Sequence, residues 1–193
     1  MDLPDCLPHL AGLIVERTLV LDDTLHVDVA VPAPCACCPD CGAVGHRVHS
    51  SYRRRVADRP LGGRRAVIRL RVRRFRCDEP ACPRRTFAEQ APAVAARYAR
   101  RSPPLRATLA ELGLALGGRP GSRLARWLGM PAGRSTLLRL VRALPEPEVT
   151  APRVLGIDEF ALRRGRTYAV LLVDLEARRP VDVLAVKSAG TRN

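Results

Sequence analysis

The chain has 193 residues and a formal net charge of +14 at pH 7, with 47% hydrophobic and 4% aromatic side chains and 7 cysteines. It has no run of eighteen apolar residues, and its start, MDLPDCLPHL, shows neither a basic leader nor a long apolar stretch, so a spanning helix and an ordinary export signal are not expected. An odd cysteine count with four of the seven in short pairs argues against a disulfide framework and for a reducing interior, so the expected location is the cytoplasm.

The charge is concentrated. Residues 42–106 hold 18 arginines against 4 acids, and the rest of the chain holds 15 basic and 15 acidic side chains. A GC-rich coding sequence could explain arginine in place of lysine, but not the scarcity of acids in one window. A confined excess of this sign gathers phosphate backbones and speeds encounter with them.

In chain order, Gly12–Leu21 and Leu25–Val31 read as two strands turning at Asp22-Asp23, because Leu25, Val27, Val29 and Val31 alternate with His26, Asp28 and Ala30. Pro32 and Pro34 interrupt the second, and CACCPDCG follows. Arg47–Arg55 and Ala66–Arg76 read as a hairpin through Pro60-Leu61-Gly62-Gly63, with Ile68, Leu70 and Val72 on one face and Arg69, Arg71 and Arg73 on the other. Ala91–Pro104 reads as a linker or short basic helix. Leu105, Leu109, Leu112 and Leu116 mark a helix that ends at Gly117–Gly121, and two more segments, Ser122–Leu128 and Arg134–Leu144, flank Gly129–Gly133. Ser122 is a candidate cap for the first of these, and Ser135 falls in the first turn of the second. Pro145–Pro152 reads as a stiff linker before three β-rich runs, VLGIDEFAL, YAVLLVDLE and PVDVLAV.

Cys38-x2-Cys41 and Cys77-x4-Cys82 are two thiol pairs, each of which can supply one edge of a zinc tetrahedron. Cys35, Cys37, His46 and His49 are nearby alternatives, and Cys6 reads as a packing residue. A structural zinc contributes on the order of 10 kcal/mol to a fold of this kind, so residues 34–90 are not expected to fold without it. Arg53, Arg54, Arg69, Arg71 and Arg73 suit phosphate contact with double-stranded DNA, and few aromatics are present for stacking on single strands. In GSRLARWLGMPAGRSTLLRLVRAL, Ala125 is small where two helices would cross and Leu137, Leu138 and Val141 form an inner face. That leaves Arg134, Ser135, Arg139 and Arg142 for a groove and its phosphates, as in a helix-turn-helix. Asp158 ends an apolar strand and could ligate magnesium only if other carboxylates converge on it; adjacent Glu159 points to the opposite face.

Taken in order, CPDCG, the arginine-rich hairpin, C-x4-C with RRTF, LGMPAGRSTLLRLVR and VLGIDEFALRRGRTYAVLLVDLEARRPVDVL resemble the zinc-finger-bearing DDE transposases of bacterial insertion sequences, the ISL-three type, across residues 10 to 185. The resemblance implies an α+β multidomain chain: an N-terminal β-hairpin (1–33), a zinc-ribbon-like β module (34–92) with zinc on Cys38, Cys41, Cys77 and Cys82, a helix-turn-helix segment (100–145), and the start of an RNase-H-like catalytic domain (153–193). Asp158 matches the family's first catalytic aspartate, a ligand of Mg2+ in a complete enzyme, and Asp174 matches no catalytic position. The family pattern continues to a second aspartate and a late glutamate, whereas this sequence runs into AVKSAGTRN. The expected function is therefore that of a DNA-binding fragment that recognises the element's terminal repeats, with homo-oligomers possible, and does not catalyse transposition alone. The alternatives are half of an active enzyme completed by frameshifting or a second chain, and a zinc-dependent transcription regulator.

Overall fold

The computed structural model describes residues 6–146, 151–163 and 167–185. The chain divides into two units, Met1–Leu144 and Pro145–Asn193.

The first unit is built on a sheet of β1 (Ile14–Leu21), β2 (Thr24–Ala30), β5 (Val48–Leu61), β6 (Arg64–Arg76) and β7 (Thr86–Ala88), in the order β1-β2-β6-β5, with β7 also paired to β6. Asp22 and Asp23 both have positive φ, 45° and 58°, which lets a two-residue turn match the twist of β1 and β2. The N-terminal hairpin, expected as a separate piece, instead joins this sheet. β2 runs parallel to β6, with Asp28 beside Arg69 and Val29 beside Leu70. One sheet face carries Leu25, Val27, Val29, Val56, Ile68, Leu70 and Val72, all buried, as the alternation in the sequence requires.

Residues 91–101, expected as a linker or basic helix, are neither. Val94 and Ala95 are buried against the same sheet face, and Ala57 donates its N–H to Arg100 O at 2.9 Å while Ser102 N–H returns to Ala57 O at 2.9 Å. The apolar stretch between two polar ends allows this: two small hydrophobes anchor a segment otherwise rich in arginine.

Three helices follow, α1 (Pro103–Leu116), α2 (Gly118–Trp127) and α3 (Arg134–Arg142). Ser102 caps α1, its Oγ accepting the Leu105 N–H at 3.2 Å, and Pro103 and Pro104 occupy first-turn positions that need no hydrogen-bond donor. The sequence suggested a break across Gly117–Gly121, yet α2 begins at Gly118. Pro120 falls in its first turn, where the missing N–H is not needed. Gly121 is a packing residue: a Cβ there would lie 3.0 Å from Leu112 O and 3.0 Å from Leu137 Cδ1. Ser122 is not a cap; its Oγ donates to Ala132 O at 2.7 Å and ties α2 to the turn before α3. Leu105, Leu109, Ala125, Met130, Ala132 and Leu137 form the helical core, and Ala57 of β5 packs against it.

The second unit is an antiparallel meander, β10-β9-β8, of β8 (Leu155–Arg163), β9 (Thr167–Asp174) and β10 (Arg179–Ala185). These are the three β-rich runs of the sequence. Residues 147–150 of the linker and the tail at 186–193 lie outside the described residues.

Candidate metal centre and nucleic-acid interface

The knuckle forms because CPDCG turns back on itself. Gly42, at φ 76°, donates its N–H to Cys38 O at 2.9 Å, and Cys38 N–H donates to Ala43 O at 2.8 Å. Two short strands, β3 (Ala36–Cys37) and β4 (Val44–Gly45), flank this turn. Across from it, Cys77 directly follows β6, and Cys82 is folded back by its N–H to Glu79 O at 3.1 Å. Gly45 must be glycine, since a Cβ would lie 2.7 Å from Arg76 O and 2.8 Å from the Phe87 ring. Phe75 and Phe87, with centroids 6.1 Å apart, close the base of the site.

The sulfurs of Cys38, Cys41, Cys77 and Cys82 all lie within 4.8 Å of one another, the one such cluster of ligating groups among the described residues. Cys38 Sγ is 3.9 Å from Cys82 Sγ and Cys41 Sγ is 3.5 Å from Cys77 Sγ. Four thiolates about 2.3 Å from a tetrahedral zinc stand roughly 3.8 Å apart, so the donor set fits that ion. These separations exclude disulfides. Cys35, Cys37, His46 and His49 are not part of the cluster. Burial raises the Cys38 thiol, but N–H groups of Cys41 and Asp40 and the thiols of Cys41 and Cys77 outweigh it and bring it down to about 7. At Cys77 an N–H of Glu79 favours the thiolate, but burial and the three neighbouring thiols push it up to about 12. Four thiols this close cannot all ionise unaided; a divalent cation removes the conflict and cross-links two loops.

The arginines divide into two groups. Arg69, Arg71 and Arg73, expected as an open row, each hold a carboxylate. Arg69 grips Asp28 through Nε and Nη2 at 2.5 and 2.8 Å, Arg71 meets Glu16 at 2.5 Å, and Arg73 binds Glu89 at 2.6 Å and also the Ala33 carbonyl at 2.6 Å. Their neighbours on β5 explain the need. Arg53 stands opposite Arg71 and Arg55 opposite Arg69, and like charges so placed repel unless acids intervene. Arg53 and Arg55 are exposed and have no ion-pair partner among the described residues. Arg54 faces the other way and donates to Ala96 O at 3.0 Å and Ala99 O at 2.8 Å. Arg55 was missed in the sequence, although its alternation with Arg53 on the strand was visible there.

On the helices the division is clean. Leu137 is fully buried, while Arg134, Ser135, Arg139 and Arg142 are exposed on α3. Leu138, expected on the inner face, is 40% exposed but lies over the start of α2, where a Cβ on Gly118 would come within 3.3 Å of its Cγ. On α2, Arg119, Arg123 and Arg126 are exposed, as is Trp127 at its end.

Residues 35–83 match the family model described as the zinc-finger of transposase IS204/IS1001/IS1096/IS1165. These residues contain all four clustered cysteines. The zinc-binding segment is thus similar to that of the ISL-three type of transposase. It is 30% identical over 169 residues to the transposase for insertion sequence element IS1001 of Bordetella parapertussis, an alignment covering 84% of this chain and 40% of that relative. No solved structure matches the chain.

The transposase resemblance draws attention to Asp158. It sits within β8, not at its end, and is exposed. Its cross-strand neighbour is Leu171, which is in turn opposite Val183, so the positions beside it on that face are apolar. Asp174 pairs in register with Leu155 and accepts the N–H groups of Glu176 and Ala177 at 3.0 Å each, which shapes the turn after β9. No helix is long and apolar enough to cross a membrane among the described residues.

Proposed function

We propose that the chain binds double-stranded DNA at the terminal repeats of an insertion element. The observation that carries this reading is the segregation of arginines. Those turned along the sheet toward acids are paired, whereas Arg53, Arg55, Arg134, Arg139 and Arg142 are exposed and without an ion-pair partner among the described residues. Unpaired guanidinium groups on rigid strands and helices are the ordinary means of fixing a duplex by its phosphates. In this reading α2 and α3 act as a helix-turn-helix, with Ser135, Arg139 and Arg142 toward the groove and Arg53 and Arg55 on the flanking backbone.

Zinc supplies the cross-link that holds the end of β6. The protein's own residues do the rest: Phe75 and Phe87 exclude water beneath the thiols, and β6 sets the register of the strand that presents Arg53 and Arg55. Strand transfer belongs to a fuller assembly in this proposal, since Asp158 is flanked by Leu171 and Val183 and would need carboxylates brought from elsewhere.

Titration of zinc-loaded chain with duplexes carrying the element ends should show tighter binding than to unrelated duplex, and affinity should fall steeply with salt. Equal, salt-insensitive binding to both duplexes would refute the reading.

A further inference from the structure

The segment before α1 holds a feature that duplex binding does not require. Tyr98 has φ 63°, a left-handed conformation that costs a non-glycine residue about 1 kcal/mol or more, yet the residue is 80% exposed and contributes little burial in return. The conformation is enforced from outside the turn. Arg54 Nη2 clamps the carbonyls of Ala96 and Ala99, and β5 holds Arg100 by its carbonyl. The guanidinium of Arg97 lies 4.8 Å from the ring centroid and can cover only one of its faces.

Around this ring is a cleft of about 360 Å³, lined by Arg97, Arg100, Arg101, Arg106 and Arg139, with no acid among its lining residues. Five forked cations in a concavity match the oxygens of a phosphate. Ala99, Leu140 and Ala143 add an apolar wall, which suits a ligand with both a flat apolar face and an anionic group, whereas a carboxylate-bearing partner would leave the ring unused. Duplex DNA offers its phosphates on a convex surface, with base faces stacked inside and beyond the reach of a side chain. A nucleotide displaced from the stack offers both groups at once, and an aromatic face beside cations is the usual platform for it.

We infer that this cleft receives an unpaired nucleotide of the bound DNA, its phosphate beside Arg101 and Arg106 and its base on Tyr98. The inference rests on the DNA-binding reading above. It makes Arg54 a positioning residue, acting through the turn that sets the ring.

The test compares the zinc-loaded full chain on a blunt duplex and on the same duplex with about three unpaired nucleotides splayed at one end, by fluorescence anisotropy. The fork should bind roughly tenfold more tightly, the scale of one base stacked on an aromatic ring. Tyr98→Gly suits the backbone angle, so it removes the ring without adding strain; it should erase the gain while leaving blunt-duplex affinity within about twofold, and Tyr98→Phe should keep the gain. Equal affinity for fork and blunt duplex, or a gain that survives Tyr98→Gly, overturns the inference while duplex binding stands. Failure to bind either DNA overturns the DNA-binding reading itself.

Discussion

His9 Nε2 lies 2.8 Å from Asp58 Oδ2, and the Asp58 side chain is wholly removed from solvent. The other Asp58 oxygen takes the hydroxyl of Ser102, the residue that caps α1. One buried carboxylate therefore joins the N-terminal turn, the sheet and the first helix. Asp58→Ala would leave His9 and the cap without their partner, and the expected cost is about 3 kcal/mol. Urea unfolding of the zinc-loaded protein measures it; a change below about 0.5 kcal/mol would show that the hub is not stabilising.

The metal centre predicts a graded loss of order. Stripping zinc with a chelator, or replacing Cys77 by serine, should abolish hydrogen-exchange protection in Ala36–Gly45 and Cys77–Ala88, since Phe75 and Phe87 form too small a core to hold these loops alone, while Val56 to Val72 keep theirs on the main core. Mass spectrometry under native conditions should find one zinc per chain before treatment. Unchanged protection after its removal would contradict the assignment.

Paired and unpaired arginines should behave differently on replacement. Arg53→Ala with Arg55→Ala should lower DNA affinity and reduce the slope of log K against log salt by about 0.9 for each phosphate no longer neutralised, with little effect on folding. Arg69→Ala should do the reverse, because it strands Asp28 in a buried position; a loss of about 2 to 3 kcal/mol in stability is expected. An unchanged salt slope in the first variant would remove β5 from the interface.

Gly113 and Gly121 should resist substitution. A Cβ on Gly113 would lie 2.9 Å from Val141 Cγ2, and one on Gly121 would press on the α1 backbone at Leu112. Alanine at either site improves helix propensity by up to about 1 kcal/mol yet should destabilise the helical layer, by about 1 to 3 kcal/mol through overpacking. Thermal melts that rise on Gly113→Ala would show that α1 and α3 have room to separate.

What could be read from the sequence was local. The cysteine spacings, the alternation of Ile68, Leu70 and Val72, and the leucine period of α1 each express geometry over a few residues, and they located the metal ligands and most elements. Charge pairing was not local. The count of acids within residues 42–106 missed Glu16 and Asp28, which reach Arg71 and Arg69 only because β2 lies parallel to β6. The same distance hid the His9, Asp58 and Ser102 hub. Gly117–Gly121 looked like a break because glycine and proline lower helix propensity, whereas close packing against Leu112 and Leu137 demanded glycine there. Tyr98 carried no signal, since nothing in the letters around it shows a left-handed backbone.

The parallel pairing of β2 with β6 also sets an order of events during synthesis. Val29 cannot meet Leu70 until some forty further residues have emerged, a delay of a few seconds at about 5 to 20 residues per second. Throughout that interval the nascent hairpin shows a bare hydrogen-bonding edge and an apolar face, and Cys38 and Cys41 wait for Cys77 and Cys82. The ribosome-bound chain is thus most exposed to mispairing before its arginine-rich strand appears, and metal capture comes late rather than first.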